Sequence, residues 1–469
     1  MLRNNLSKSF LIAITAIIIA YNVDAQTINK FSAQQTVDYG LKNAIQVKNA
    51  LLDIKNQEQV NREVTSQALP QINASGGLTH YYNIPVQPIP DFISPEFYTI
   101  LENNHVQNGT TGQPITDPNH GIYPDLQFSF TLPWTSNAAV TLNQILFDGQ
   151  VFVGLKARKS AIDFYNKKAE VTQEQIKANI YKIYYQLVVG QKQLASVQSN
   201  IDDLTKQLND TKEIYKNGFA EKLDIDKVTV QLNNLQIQKQ SLQNQLDAGN
   251  AGLKFLINMP QKEELVLTDT LNEDKLKENI LDESYNYNDR KDVQLSLINV
   301  KLQAYNVKRY QLSKIPTLSL TGSYSKTAYN SEFSPLWQTW YTSSYIGLNL
   351  NIPIFTGFYK QAKIEEAKIA LQQANNTLSN LRESVDNDVT QSRISMKTAI
   401  ATIDNQKQNI QLAEQVYQST QLKYQQGLGS NQETYDAQTQ LEVAQNNYYN
   451  ALYDAIIAKI NYLQAVGKL

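Results

Sequence analysis

Apolar and polar positions alternate along four short segments of the chain, and alternation with a period of two predicts β-strands. The clearest case is Leu318, Leu320, Gly322 and Tyr324, which alternate with serine and threonine. By the same pattern we predict strands at about residues 70–82, 137–148, 316–328 and 342–356. Each predicted strand has one apolar face and one polar face.

After the second and the fourth predicted strand, the spacing of apolar residues changes to steps of three, four and seven, which indicates long coiled-coil helices. Helical hairpins are therefore predicted over about residues 151–258 and 358–466. A shorter helix precedes the first strand of each half. In the first half, Ser32 and Gln35 have the spacing of a capping box, and we expect one helix from there to about Gln67, ended by Pro70.

Both long helices end in a similar sequence, Tyr215-Lys216-Asn217-Gly218-Phe219 and Tyr424-Gln425-Gln426-Gly427-Leu428. Glycine is the residue that tolerates the left-handed conformation at a helix end, so we predict that the chain reverses direction at Gly218 and Gly427. The chain thus divides into a first structural repeat at residues 26–260, a linker at the equator at 261–287, and a second repeat at 288–469.

The N-terminus has the pattern of a secretory signal peptide. Arg3 and Lys8 precede an apolar run, and small residues follow up to Ala25, so residues 1–25 are predicted to be removed on export. A membrane anchor is the alternative, although the apolar run is short for a span. No later stretch is apolar enough to predict a transmembrane helix.

Charge and composition exclude several functions. The net charge of −2 argues against a nucleic-acid surface, and the absence of cysteine excludes disulfides and thiolate metal sites. His80, His105 and His120 lack metal-ligand spacing, so no metal or cofactor is predicted. No nucleophile–base pair or phosphate-binding loop stands out, and we do not expect an enzyme.

The strands suggest a membrane and several chains. Trp134, Trp337 and Trp340, the three tryptophans, all lie in the strand and loop regions, as interfacial aromatics of a lipid-facing barrel do. A small soluble sheet packed on the helices is the alternative. Four strands cannot close a barrel, and an open edge cannot face lipid. Copies of the chain must then assemble, and three copies give 12 strands, although the sequence does not fix that number.

The chain resembles the TolC-type outer-membrane efflux proteins over almost its whole mature length. The resemblance rests on the duplicated strand–strand–hairpin order, the Leu-Phe-Asp-Gly turn at residues 146–149, the prolines Pro70 and Pro316, and the two Tyr-x-x-Gly helix ends. It implies an α+β membrane protein: a homotrimer with a 12-stranded transmembrane β-barrel, four strands per chain, continued by a 12-helix tunnel through the periplasm.

The resemblance also implies a function, a location and partners. The chain is expected in the outer membrane of a Gram-negative bacterium, in contact with its lipid, as the passive exit duct of a tripartite efflux or type I secretion system. The expected partners are a periplasmic adaptor protein and an inner-membrane pump of the RND, ABC or MFS type. A periplasmic or surface coiled-coil structural or adhesive protein with soluble strands is the alternative. The sequence does not separate the pump classes or identify the exported substrate.

Functional residues follow from matching the helix ends to the family pattern Tyr-x-x-Gly-x-x-Ser-x-x-Asp. The residues assigned to a periplasmic gate are Glu433, Asp436 and Asp224. The residues assigned to adaptor docking at the helix ends are Tyr215, Gly218, Tyr424, Gly427 and Ser430. At position 429, where members of this family often have an arginine that pairs with the aspartate of the first helix end, this chain has glycine.

Two alternatives stay open for these residues. Glu433 and Asp436 share a helix face and would form acidic rings in a trimer, which favour cations; they would equally complement the dipole at a helix start. Tyr215 and Tyr424 would either contact the adaptor or pack against a neighbouring helix. The long loop between the first two strands, which contains His105 and His120, has no readable role and is expected outside the cell.

Overall fold

The computed structural model describes residues 28–129, 131–271, 276 and 284–469. The predicted signal peptide, residues 1–25, lies outside the described residues, as does part of the predicted linker. The chain divides into a helical unit, with residues up to Val60 and the ranges Ala157–Val307 and Glu365–Leu469, and a strand unit, Asn61–Lys156 with Lys308–Ile364.

Eight α-helices and eight strands are described, together with short 3-10 turns. The helices are α1 (Ala33–Asn43), α2 (Ile45–Ser66), α3 (Ile93–Asn103), α4 (Gly149–Lys216), α5 (Lys222–Leu256), α6 (Lys291–Leu312), α7 (Tyr359–Gln425) and α8 (Asn431–Ala465). The strands are β1 (Ile28–Phe31), β2 (Gln71–His80), β3 (Gln87–Ile89), β4 (Leu126–Phe128), β5 (Trp134–Phe147), β6 (Glu264–Leu267), β7 (Thr317–Asn330) and β8 (Tyr341–Asn351).

The helical unit is built on two hairpins, α4 with α5 and α7 with α8. The outgoing helices have 68 and 67 residues and the returning helices 35 each. At 1.5 Å per residue, an outgoing helix is roughly 100 Å long. Leu204 on α4 and Leu235 on α5 are fully buried in the seam of the first hairpin. A separate core of small and aliphatic residues, including Met396 and Ala455, joins the two hairpins further from their ends.

A parallel strand pair, which the sequence did not predict, holds the start of the described chain. β1 pairs with β6, with Ile28 opposite Glu264. The buried Tyr184 on α4 donates a hydrogen bond from its hydroxyl to the carbonyl of Phe31 (3.0 Å) and accepts one from the amide of Asp269 (3.2 Å). Strands of four residues are too short for alternation to be recognised, which explains the missed prediction.

The strand unit contains one four-stranded antiparallel sheet with the order β2-β5-β7-β8. Its register places Ile72, Leu142, Gly322 and Ile346 in one row across the sheet. The next row, Asn73, Thr141, Ser323 and Tyr345, points to the opposite face. One face is therefore apolar and the other mostly polar. In the described part of the chain, the outer edges of β2 and β8 pair with no further strand.

Two sequence predictions about element bounds are wrong. The helix expected from Ser32 to Gln67 is broken at Ala44, whose ψ of 133° is not helical, so that α1 and α2 are separate. The strand expected to reach residue 356 ends at Asn351, because Pro353 has no amide hydrogen to donate to a ladder. The predicted capping box is confirmed: Ser32 Oγ accepts from the amide of Gln35, and the Gln35 side chain accepts from the amide of Ser32.

None of the helices in the described residues is both long enough and apolar enough to cross a membrane.

Candidate gate and docking surface at the helix ends

Both long hairpins turn through a glycine in the left-handed conformation. Gly218 has φ of 83° and Gly427 has φ of 72°, which confirms the sequence prediction for these two turns. The amide of the residue after each glycine donates to the carbonyl five residues earlier, at 3.0 and 2.9 Å. This is the Schellman arrangement that ends a helix where only glycine or asparagine fits well.

A large apolar side chain projects from each turn. Phe219 is 86% exposed and Leu428 is 77% exposed. The sequence analysis did not assign them a role, although each directly follows the glycine that it did single out. An exposed phenylalanine or leucine beside a sharp turn is a better contact residue than the glycine itself, because it has apolar surface to bury.

The two tyrosines of the turns differ in their surroundings. Tyr215 is exposed, whereas Tyr424 is half-buried against the first hairpin. Burial raises the pKa of Tyr424, the nearby side chain of Thr211 on α4 opposes this rise, and the charge of Asp224 adds to it. Tyr424 therefore packs between the hairpins, and Tyr215 is the one accessible to another molecule.

The returning helices begin with side-chain caps. Ser430 Oγ accepts a hydrogen bond from the amide of Glu433 (3.2 Å), and Asp224 Oδ2 accepts one from the amide of Glu221 (3.1 Å). Glu221 stands where the family pattern has serine, and its carboxylate accepts from the amide of Asp224 in a reciprocal capping box. Glu433 and Asp224 thus each lie in the first turn of a helix, where a negative charge is favourable.

The structure brings Asp224 into contact with the second hairpin. Asn431, the first residue of α8 and buried, donates from Nδ2 to Asp224 Oδ1 at 3.0 Å. Beside it, Lys227 Nζ donates to Gln432 Oε1 (3.1 Å), and Gln432 Nε2 donates to Asp436 Oδ1 (2.9 Å). Of the three acidic residues assigned to a gate, Asp224 is therefore bonded directly to the other hairpin.

Position 429 is close to its neighbours. A Cβ added to Gly429 would lie 3.2 Å from Lys423 Cβ and 3.4 Å from a carboxylate oxygen of Glu433. A side chain there would push Lys423 or Glu433 aside. The bond to Asp224 comes instead from Asn431, two residues further along the chain, which the family pattern did not point to.

Between the turns and the apolar core around Met396, polar side chains join the two hairpins. Asn200 on α4 donates to Gln445 on α8 at 2.6 Å, and Gln193 donates to Asn446 at 2.9 Å. Burial raises the pKa of Glu442 on α8, although the side chains of Gln438 and Gln231 act in the opposite direction. Hydrogen bonds between such side chains can be replaced by bonds to water at little net cost. Separating the apolar core around Met396 would instead expose apolar surface to water.

The three tryptophans lie in an aromatic cluster at one end of the sheet. His80 stacks on Trp134 with ring centres 4.1 Å apart, and Trp134 lies 4.9 Å from Phe333. Trp337 is 6.4 Å from Phe333 and 5.9 Å from Trp340. All of these residues lie at or beyond the ends of β2, β5, β7 and β8 that are joined by the two loops.

A second set of aromatics, which the sequence analysis missed, lies at the opposite end of the strands. Phe147 and Phe152 are 5.6 Å apart, as are Phe355 and Phe358, and all four side chains are exposed. Phe147 and Phe355 belong to the two Phe-x-Gly turns, so the repeat itself was the signal for them. The apolar face of the sheet is thus bounded by aromatic residues at both ends.

In the described parts of the chain, no group of three or more histidine, cysteine, aspartate or glutamate side chains is placed to hold a metal ion.

The chain is similar to known outer membrane proteins in sequence and in fold. Residues 287–468 match the sequence profile of the family described as "Outer membrane efflux protein". The chain is 24% identical over 348 residues to the outer membrane protein TolC of Salmonella enteritidis, which covers 71% of this chain and 69% of the relative.

Two solved structures have the same fold. The outer membrane protein VceC of Vibrio cholerae matches with a TM-score of 0.69 at 15% identity, covering 93% of this chain and 96% of that one. CusC, a protein that forms a transmembrane channel, matches with a TM-score of 0.72 at 15% identity, covering 95% of this chain and 92% of that one.

The small antiparallel sheet and the long helical hairpins of this chain thus have the fold of known outer-membrane channel subunits. Residues 287–468 match this family's model, and the chain as a whole is similar to TolC-type outer-membrane efflux proteins in sequence and in fold.

Proposed function

We propose that three copies of this chain form the exit duct of a tripartite efflux or type I secretion system. The four-stranded sheets of three copies would close into a 12-stranded barrel in the outer membrane, and the hairpins would line a 12-helix tunnel in the periplasm. Residues 26–260 and 288–469 are its two structural repeats, joined by the linker at 261–287, after removal of residues 1–25.

The observation that carries this proposal is the sheet with two open edges and an apolar exposed face. Ile346 is 80% exposed and Leu348 is 67% exposed, which is unusual for central positions of a strand in water. Lipid would cover this face, and pairing of β2 of one copy with β8 of the next would satisfy the backbone groups of both edges. The aromatic residues at both ends of the strands fit the two membrane interfaces, including Trp134, Trp337 and Trp340.

The helix ends are the proposed periplasmic entrance. Glu433, Asp436 and Asp224 of three copies would place carboxylates around it, which favours cations over anions. The hydrogen bond from Asn431 to Asp224 would hold the second hairpin against the first in the closed state. This bond would take the place of the pairing made by the arginine that members of the family often have at position 429.

The same ends are the proposed docking surface for the adaptor protein, which in turn would recruit an inner-membrane pump of the RND, ABC or MFS type. Tyr215, Gly218, Gly427 and Ser430 form the accessible turns, with Phe219 and Leu428 as apolar contacts. Tyr424 supports the surface from between the hairpins. Helical adaptor ends would pack against these residues as helices in a groove.

The proposal is tested by extracting the mature protein from membranes and examining its mass and conductance. A trimer by native mass spectrometry in detergent, with single-channel conductance in planar bilayers, is the expected result. A monomer that washes from membranes with salt or carbonate and conducts no ions would instead identify the coiled-coil structural protein that the sequence left open.

A further inference from the structure

The loop between β2 and β5 has an unusual charge. Between Glu63 and Lys156 the chain contains no lysine or arginine. The loop itself has five acidic side chains, at Asp91, Glu96, Glu102, Asp117 and Asp125. Each of its carboxylates therefore lacks a lysine or arginine of the same loop as a partner, and the loop surface is negative.

The loop is nevertheless folded. β3 pairs with β4, and Asp91 caps α3 by accepting from the amide of Ser94 at 2.9 Å. Asp117 accepts from the hydroxyl of Tyr123 at 2.5 Å, and its amide donates to Glu102 at the end of α3 at 2.6 Å. These bonds fix the position of α3 relative to the rest of the loop.

Within this folded loop, α3 has two apolar faces. On the inner face, Tyr98 stacks on Tyr123 with ring centres 6.3 Å apart, and Leu101 is half-buried. On the outer face, Ile93, Phe97 and Ile100 follow a spacing of four and three residues and are each more than half exposed. That spacing places the three side chains in one strip along the helix, as in the contact seam of a helix pair.

An acidic side chain stands beside this strip. Glu96 lies three residues after Ile93 and four before Ile100, so it shares their side of the helix, and its side chain is exposed. We propose that the strip of Ile93, Phe97 and Ile100, with Glu96 beside it, docks a basic amphipathic polypeptide segment at the cell exterior. The position of this strip outside the cell rests on the proposed function. The ability of the strip to bind such a segment is independent of that function.

The negative charge of the loop indicates which kind of molecule would bind this strip. A second copy of the loop has the same five carboxylates and no lysine or arginine, so two loops would repel each other. The phosphate groups of outer-leaflet lipid are also negative. A segment with leucine-like residues on one side and lysine or arginine next to them matches both the apolar strip and Glu96.

The test uses the full chain in phosphatidylcholine nanodiscs and a fluorescent amphipathic peptide of leucine and lysine. We expect saturable binding, measured by anisotropy, that weakens as salt is raised, and no binding to a peptide with glutamate in place of lysine. Replacing Ile93, Phe97 and Ile100 with serine should weaken binding roughly tenfold or more, because the apolar anchors are lost. Glu96→Gln with Asp125→Asn should weaken it roughly threefold. Thr99→Ser, on another side of α3, should leave it unchanged.

Several results would overturn the inference. These are equal binding of the glutamate peptide, binding fully accounted for by empty nanodiscs, or an unchanged affinity in the triple serine variant. Association of the loops with each other, or tighter binding to lipopolysaccharide vesicles than to the peptide, would also overturn it. Conductance of the same preparation is measured in parallel. A trimer that conducts but does not bind the peptide rejects this inference alone. A chain that binds the peptide but does not conduct rejects the proposed function alone.

Discussion

Asn431 and Asp224 form a hydrogen bond between the two helical hairpins, with Nδ2 and Oδ1 3.0 Å apart. One partner begins α8 and the other lies in the first turn of α5, so the bond joins the two returning helices beside their turns.

We expect Asn431→Ala to favour the open channel. A hydrogen bond to a charged group contributes about 1.5 kcal/mol or more, which corresponds to a shift of roughly tenfold in the closed–open equilibrium. Open probability in planar bilayers measures this shift. Asn450→Ala, at an exposed position of the same helix, serves as the control. Unchanged open probability in the Asn431 variant would show that this bond does not hold the channel closed.

The combined change Glu433→Gln and Asp436→Asn should reduce the preference for cations and the block by divalent ions, because six carboxylates would leave the entrance of a trimer. Reversal potentials in a salt gradient report the preference directly. The same charge change at Glu414 and Asp454, exposed residues of α7 and α8, is the matched control. If both double variants behave alike, the acids at 433 and 436 serve only as helix-start residues.

Ile346→Lys and Leu348→Lys should each prevent insertion into the outer membrane, whereas Asn349→Lys should be tolerated. The first two side chains lie on the apolar face of β8, and lysine facing lipid costs about 2–4 kcal/mol near the middle of the membrane. Asn349 lies on the other face of the same strand. The fraction of trimer in purified outer membranes gives the comparison, and equal insertion of all three variants would contradict a lipid-covered face.

Arg290→Ala should lower the free energy of unfolding by about 2 kcal/mol. Arg290, nearly buried, donates to Asp292 Oδ2 (2.5 Å) and to the carbonyl of Ala465 (3.2 Å), the last residue of α8. Burial would raise the pKa of Asp292, but the hydrogen bond and the charge of Arg290 outweigh burial and lower it. Denaturant unfolding measures the loss, with Lys301→Ala on α6, the helix that directly follows Arg290, as the control. If Arg290→Ala lowers the free energy of unfolding no more than Lys301→Ala does, other contacts hold the end of α8.

Glu442→Gln should stabilise the protein at neutral pH and have little effect in acid. Burial raises the pKa of Glu442, so the folded state binds this proton more tightly than the unfolded chain does. The ionised form therefore weakens the fold as pH rises from the unfolded pKa through the raised folded pKa. Thermal unfolding of both proteins across this pH range provides the measurement. A constant difference at all pH values would assign the effect to packing.

Long periodic segments were the most predictable part of this fold. The heptad spacing of α4 and the alternation of β7 each run over many residues, so the period can be recognised despite exceptions at single positions. The glycine turns were predictable for a different reason, because Gly218 and Gly427 need a conformation that few residues adopt.

Contacts between distant parts of the chain were not predictable. Tyr184 bonds Phe31, and Asn431 bonds Asp224, across sequence separations of 153 and 207 residues. No local pattern contains such pairs. The break at Ala44 was missed because neither glycine nor proline marks it.

The outer edges of β2 and β8, which pair with no further strand in the described part of the chain, also have a consequence for genetics. In the proposed ring of three, each copy would complete the sheet of its neighbours, so one subunit faulty at β2 or β8 would leave at least one seam unsealed. Equal expression of normal and faulty chains would leave only about one ring in eight intact. Defects at β2 or β8 should therefore be dominant in a mixed population. Defects confined to the strip of Ile93, Phe97 and Ile100 on α3 should instead reduce peptide binding only in proportion to the faulty copies.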